Sequence, residues 1–261
     1  MNHRTLKRIA LITMIIDHIG AFIPGAPIWL RYIGRISAPI FFFCCAHSLE
    51  HTKDKRKFAI RLYLFSLLMI FGNVILDVIF DFKEGLPEDN IFLTLFVGVM
   101  AVLLYEKYKA GGIAIFCLYQ VGVYLLSDWL CSIDSIRGQA WHYFIYIIPW
   151  ITGSAYDVEY GVTFVLLFIL MYYTKDNPML LSALIITCSF CVYKVSHRFL
   201  SPFFRTAVGF WDMQYLMIFC LPIILLYNGK KGKGSKYFYY LFYPLHLWAL
   251  YIVQQCVFFK K

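Results

Sequence analysis

Charge is what this sequence has least of. Only 15% of its 261 residues are Asp, Glu, Lys or Arg, against 61% hydrophobic and 20% aromatic, and the mean hydropathy is +0.68. Soluble domains carry about a quarter charged residues. No polar stretch is long enough to build a soluble domain, so residues 1–261 read as one membrane-embedded unit without linkers. Other absences narrow the chemistry. There is no GxSxG and no HExxH, and Asp17-His18 lacks the cysteine-rich zinc framework of a DHHC-type palmitoyltransferase. The 8 cysteines lie almost all in apolar runs, where Cys acts as a small hydrophobe. Cys188 and Cys191 have CxxC spacing but no second pair, so neither a disulfide framework nor a metal is expected. The net charge of +9 sits in short loops between apolar spans, and no aromatic-basic platform for nucleic acid is present. No internal repeat is visible.

What is there is a series of apolar runs. A membrane-crossing helix needs about 20 mostly apolar residues. Tolerating short ones, helices are expected at 6–23, 28–50, 58–80, 91–106, 112–130, 159–174, 178–196, 213–228 and 237–258. The aromatic stretch WHYFIYIIPWI at 141–151 is a tenth candidate; it is short and contains Pro149, which suits a re-entrant or interfacial segment. The expected fold is therefore all-α, a polytopic bundle of about nine or ten spans. The first 24 residues have a basic start and an apolar core, but Asp17-His18 interrupts that core and no small-residue cleavage site follows, so a retained helix is expected.

Lys and Arg in short loops set orientation. The N-terminus, the loop HTKDKRKFAIR and the loop at Lys107 and Lys109 are basic, whereas DFKEGLPEDN is acidic, which predicts a cytoplasmic N-terminus in a cell membrane. Nine spans place the loop NGKKGKGSK inside and Lys194, Arg198 and Arg205 outside; ten reverse this.

Ionisable groups inside spans are costly and mark function or bundle pairing. The candidates are Asp17 and His18, then Arg31, Arg35, His47 and Glu50, then Asp77, and finally His246 within FYPLHLW. Adjacent helical residues point about 100° apart, so Asp17 and His18 address different neighbours. Lys7 and His18 fall on one face, about 16 Å apart along the axis. Arg31 and Arg35 share a face at i, i+4 and can clamp an anion or a carbonyl, or pair with Asp17 as a structural bridge. His47 and His51 have the spacing of two zinc ligands but no identifiable third.

The segments LKRIALITMIIDHIG, RYIGRISAPIFFF, HTKDKRKFAIRLYLF, NIFLTLFVG, DVEYGVTFVLLF, LPIILLYNGKKGK and KYFYYLFYPLHL resemble, in the same order, the TraX family of membrane proteins, while residues 107–155 depart from its pattern. The resemblance implies a membrane acyltransferase. The founding member N-acetylates the amino terminus of pilin, and the family is similar to integral-membrane acyltransferases that draw on cytoplasmic acyl-CoA. Those relatives carry a basic residue, ten intervening residues and a histidine; Lys7 and His18 match that spacing, with Lys in place of Arg. A Lys keeps the charge but lacks the planar fork that binds phosphate bidentately.

Together these readings give expected roles. His18 is the base, with His246 and Asp17 completing the catalytic group; Asp17 orients His246 or anchors Arg31 and Arg35, which hold the acceptor or the oxyanion. Lys7, Lys53, Arg56, Lys57 and Arg61 attract the phosphates of acetyl-CoA or another acyl-CoA. Membrane lipid surrounds the chain, and the acceptor is a peptide, a glycan or a lipid. Two rival classes remain open: a small-molecule transporter or flippase, in which the same charges line a path, and a structural part of a secretion or conjugation machine.

Overall fold

The structure is a computed structural model, and it describes residues 1–80, 90–134, 147–198, 213–232 and 237–258. Among the described residues it is helical, without strands. The first helix, α1 (His3–Phe22), starts where the Asn2 side chain caps the Thr5 amide at 2.9 Å. Its buried residues, Leu6, Ala10, Thr13, Met14, Asp17 and His18, form one stripe at helical spacing, so the fold turns the polar pair inward with the apolar ones. The chain then turns at Pro24-Gly25, where Gly25 has φ 79°. What the sequence offers as one span at 28–50 is two helices, α2 (Trp29–Gly34) and α3 (Ser37–Glu50), broken at Arg35-Ile36.

Next come α4 (Lys55–Phe80), α5 (Ile91–Tyr108), α6 (Ala110–Asp134), a short helix α7 over 147–152, α8 (Gly161–Thr174) and α9 (Pro178–Arg198). A 3₁₀ turn (Gln214–Phe219) leads into α10 (Cys220–Leu225). The last helix, α11 (Tyr237–Val253), carries Pro244 and ends in a π turn, Gln254–Phe258. Helix α3 is the buried centre. Its Phe42 meets Phe164 and Phe168 of α8 edge to face, with ring centres 5.7 and 6.0 Å apart.

Helices occupy all nine positions read from hydropathy, but a count of nine or ten spans is not reached. By length and apolarity five qualify: Trp29–Glu50, Lys55–Phe80, Ile91–Tyr108, Ala110–Ser132 and Tyr237–Phe258. Gly161–Thr174, Pro178–Lys194 and Gln214–Leu225 are shorter apolar helices, and α1 carries Arg4, Lys7, Arg8 and Asp17. The part of the tenth candidate that is described, 147–151, lies in α7, whose end contacts α4 and α6: Tyr63 donates to the Ile151 carbonyl at 2.9 Å and Tyr119 to that of Thr152 at 2.6 Å. From Gly153 the chain runs to Val158, which packs with Ile70 and Leu93.

One end of the bundle gathers the basic turns. The Met1 amino group donates to the Leu226 carbonyl, the Asn228 amide to Met1 (2.9 Å) and the His3 amide to Lys230 (2.8 Å), so the loop 228–232 lies with the N-terminus. Lys175, in the turn between α8 and α9, reaches Glu50 at 3.5 Å at that same end, and α9 then leads Lys194 away from it. Residues 81–89 and Arg205, on which the loop-charge reading also leaned, lie outside the described residues.

With Lys231→Cys and Ala26→Cys variants, an impermeant maleimide scored over the native cysteines should label the two positions from opposite faces of the membrane. Labelling from one face would overturn this arrangement.

Candidate functional site

The site is built around Asp17, which is 4% exposed. Arg31 Nη1 donates to its Oδ2 at 2.8 Å and to its backbone carbonyl at 3.1 Å, and Arg35 Nη2 donates to Oδ1 at 2.5 Å. The i, i+4 spacing survives the break between α2 and α3, so both arginines face α1. Arg35 has no donor group idle: Nη1 reaches Gln214 Oε1 at 3.0 Å and Nε the Arg31 carbonyl at 3.1 Å, while Gln214 Nε2 returns to the Arg35 carbonyl at 3.3 Å. Close approach makes this possible. A Cβ at Gly34 would sit 2.1 Å from the Asp17 side chain, so only glycine lets α2 lie against that carboxylate. Of the two roles open to Asp17, the geometry assigns it to the arginines and not to His246.

His18, turned from Asp17 by one residue, meets α11. Its Nδ1 lies 2.8 Å from His246 Nε2, and His246 Nδ1 lies 2.9 Å from the Phe242 carbonyl. A carbonyl only accepts, so His246 Nδ1 carries the proton and, in neutral His246, Nε2 accepts. The proton between the rings therefore belongs to His18 Nδ1. In the neutral pair His18 Nε2 is left as an unprotonated nitrogen, the form a general base requires. The two rings are inclined by only 19° with centres 5.0 Å apart, the edge-to-edge arrangement of an N–H···N pair, and Phe22 and Tyr243 enclose them at 5.9 and 6.5 Å from His18.

A continuous approach leads from the basic end toward this pair. At the mouth is a cavity of about 260 Å³ whose walls include His3, Arg4, His47, His51, Arg61 and Lys231, with no Asp or Glu. Lys7, Ser48, Phe58, Tyr239 and Tyr240 also border a deeper apolar pocket of about 80 Å³, which ends among Met14, Phe92, Leu95 and Tyr243. The Tyr243 ring stands between that pocket and the histidines. Its hydroxyl donates to Glu159 Oε2 at 3.2 Å and accepts from the Ile91 amide at 3.3 Å.

The five basic residues read as a phosphate cluster do not stay together. Lys7 and Arg61 line the mouth. Lys53 and Arg56 border a separate groove between α4 and α5, and Lys57 pairs with Asp54 at 3.5 Å on the surface. His47 and His51 join the mouth instead, and among the described residues no three His, Cys, Asp or Glu side chains come together as a metal site.

Three residues of the site were not singled out by sequence reading. Tyr243 sits inside the FYPLHLW segment, one helical turn before His246, and that spacing was available. Glu159 lies in DVEYG, where Tyr160 (φ 67°) and Gly161 (φ 63°) are both left-handed. Such a conformation is unusual for a tyrosine and clusters at functional sites. Glu159 and Tyr160 are also within electrostatic reach of Arg35. Gln214 has no local signal, since only the tertiary fold brings it to Arg35.

A family profile described as TraX protein matches residues 2–254. The chain is similar to the "Probable fimbrial assembly protein FimC, serogroup H1" of Dichelobacter nodosus, 23% identical over 264 residues, covering 93% of this chain and 91% of that protein. It is also similar to "Uncharacterized protein RP591" of Rickettsia prowazekii (strain Madrid E), 33% identical over 102 residues, covering 39% of this chain and 37% of that one. No solved structure matches. With the profile running from the N-terminal cap through the last helix and across every residue of the site, this multi-pass membrane protein belongs to the TraX family.

Proposed function

We propose that this protein is an integral-membrane acyltransferase that takes an acyl group, acetyl in the first instance, from acyl-CoA on the cytoplasmic side and passes it to an amine or hydroxyl acceptor. The observation that carries the reading is the bare Nε2 of His18, held in a fixed tautomer beyond the deep end of a pocket whose mouth is basic. Positive charge in the short loops supports a cytoplasmic mouth and N-terminus, the side on which acyl-CoA is found. The fimbrial assembly relative and the pilin chemistry implied by the family resemblance make a pilus subunit's amino terminus the first acceptor to test.

The chemistry asked of these groups is balanced. The acceptor nitrogen attacks the thioester carbonyl, a C–N bond forms, and His18 Nε2 takes the proton that the nitrogen loses. The resulting imidazolium keeps its Nδ1–H on His246 Nε2, now a charge-assisted bond. When the C–S bond breaks, the same proton passes from His18 to the departing thiolate, giving amide and free thiol. Arg31 and Arg35 both act electrostatically on His18, so they favour negative charge in its vicinity, as a tetrahedral oxyanion requires. Of the two, Arg31 is the one open to a ligand: its side chain is 21% exposed against 4% for Arg35.

His18→Ala should insert and melt like the parent in detergent yet release thiol from acetyl-CoA, with acceptor present, at least about a hundredfold more slowly, the scale of lost general-base catalysis. Undiminished turnover would remove His18 from the role. The arginines should divide. Arg35→Ala leaves Asp17 with Arg31 alone and Gln214 without its donor, breaking the most buried pair at a cost on the order of 3 kcal/mol of stability, whereas Arg31→Lys keeps the charge, loses the fork and should lower turnover more than melting temperature. Equal melting losses in both variants would make Arg31 a structural strut.

A further inference from the structure

At the N-terminal end of the bundle three lysines meet a carboxylate. Lys55 meets Glu106 at 2.7 Å, Lys57 meets Asp54 at 3.5 Å, and Lys175 meets Glu50 at 3.5 Å and Asp176 at 3.1 Å. The mouth cavity is different. Arg4, Lys7, Arg61 and Lys231 surround it with three histidines, its walls contain no Asp or Glu, and these four cations make no ion pair among the described residues.

A second observation is independent of charge. His47 Nε2 and Arg61 Nε, both on residues that line this cavity, are buried side-chain nitrogens without a hydrogen-bond partner among the described residues. His47 is 8% exposed, and its ring is wedged edge-on between Phe43 and Tyr227, with centres 4.5 and 4.9 Å away. A buried donor left unmatched costs about 1–3 kcal/mol, so such a group calls for a partner that is present in the working state. The rim is also held in place. The loop over Gly229 (φ 74°) and Gly232 (φ 73°) is tied to Met1 and His3 by backbone hydrogen bonds.

The geometry points to a binding site for a phosphate monoester in this mouth cavity, with His47 Nε2 and Arg61 Nε as direct donors to its oxygens. A monoester suits the lining better than a diester. It offers three terminal oxygens and close to two negative charges near neutral pH, which four cations and the N–H of a histidine can match. The identity of the ligand, though not of the site, rests on the acyltransferase reading. On acyl-CoA the group would be the 3′-phosphate of the ribose, with the pantetheine arm entering the apolar pocket behind Lys7.

The test uses the full chain in phosphatidylcholine nanodiscs, which keep lipid monoesters out, and titrates CoA, 3′-dephospho-CoA and adenosine 3′,5′-bisphosphate by calorimetry. CoA should bind at least about tenfold more tightly than 3′-dephospho-CoA, as expected for losing charge-assisted hydrogen bonds. His47→Asn should weaken CoA by a similar factor and leave dephospho-CoA unchanged, while Lys53→Gln should alter neither. Equal affinity of the parent for CoA and dephospho-CoA overturns the site, and that comparison needs no variant. If adenosine bisphosphate binds in a His47-dependent way while no thioester is consumed, the phosphate site stands and the transferase reading falls. If the protein instead takes up dioleoyl phosphatidic acid in preference to any nucleotide, the monoester is a lipid headgroup and CoA is excluded from this cavity.

Discussion

A carboxylate inside an apolar bundle has to be matched, and Asp17 is matched by two arginines from the next two helices. Much of the site follows from that constraint. An isolated charge in such surroundings would cost several kcal/mol, so the fold brings Arg31 and Arg35 to one carboxylate, places Gly34 where any larger residue would collide with it, and brings Gln214 to the remaining guanidinium nitrogen. Helix α1 is thereby fixed in rotation. Because consecutive helical residues diverge by about 100°, clamping Asp17 toward α2 and α3 presents His18 to α11 and nowhere else.

The arrangement separates two electrostatic tasks that the sequence places side by side. Asp17 and Arg35 are saturated by their partners and form a rigid frame, while Arg31, bound through Nη1 alone, keeps part of its guanidinium open. The histidines form a second, neutral network that ends in a carbonyl on one side and a free ring nitrogen on the other. Tyr243 and Glu159 join the two regions, since Tyr243 packs on both histidines while Glu159 lies within reach of Arg35. The left-handed Tyr160 that follows Glu159 is strain of the kind found where a fold must deliver a side chain to a defined point.

Much of this was legible in the sequence because the bilayer imposes simple rules. Long apolar runs marked the helices, and intramembrane charge marked Asp17, His18, Arg31, Arg35 and His246, which the structure does bring together. Pairing was harder. The i, i+4 rule put the arginines on one face, and it was the fold that gave them Asp17. The basic cluster failed to hold together because α4 is apolar on nearly every side, so its hydropathy does not say which way Lys53, Arg56 and Lys57 turn relative to Lys7. Gln214 and Glu159 have no local signal of their own, and the break at Arg35-Ile36 is marked only by Gly34 and by Pro39, which cannot donate to the Arg35 carbonyl four residues back.

The central claim is that His18 reaches the site as a base with a defined tautomer, set by the chain from the Phe242 carbonyl through His246. Nitrogen-15 spectra of histidine-labelled protein in nanodiscs at neutral pH, assigned with a His18→Gln variant, read that state directly. The account predicts His18 with Nδ1 protonated and Nε2 bare. A His18 that is protonated at Nε2 and bare at Nδ1, or doubly protonated at neutral pH, would contradict it.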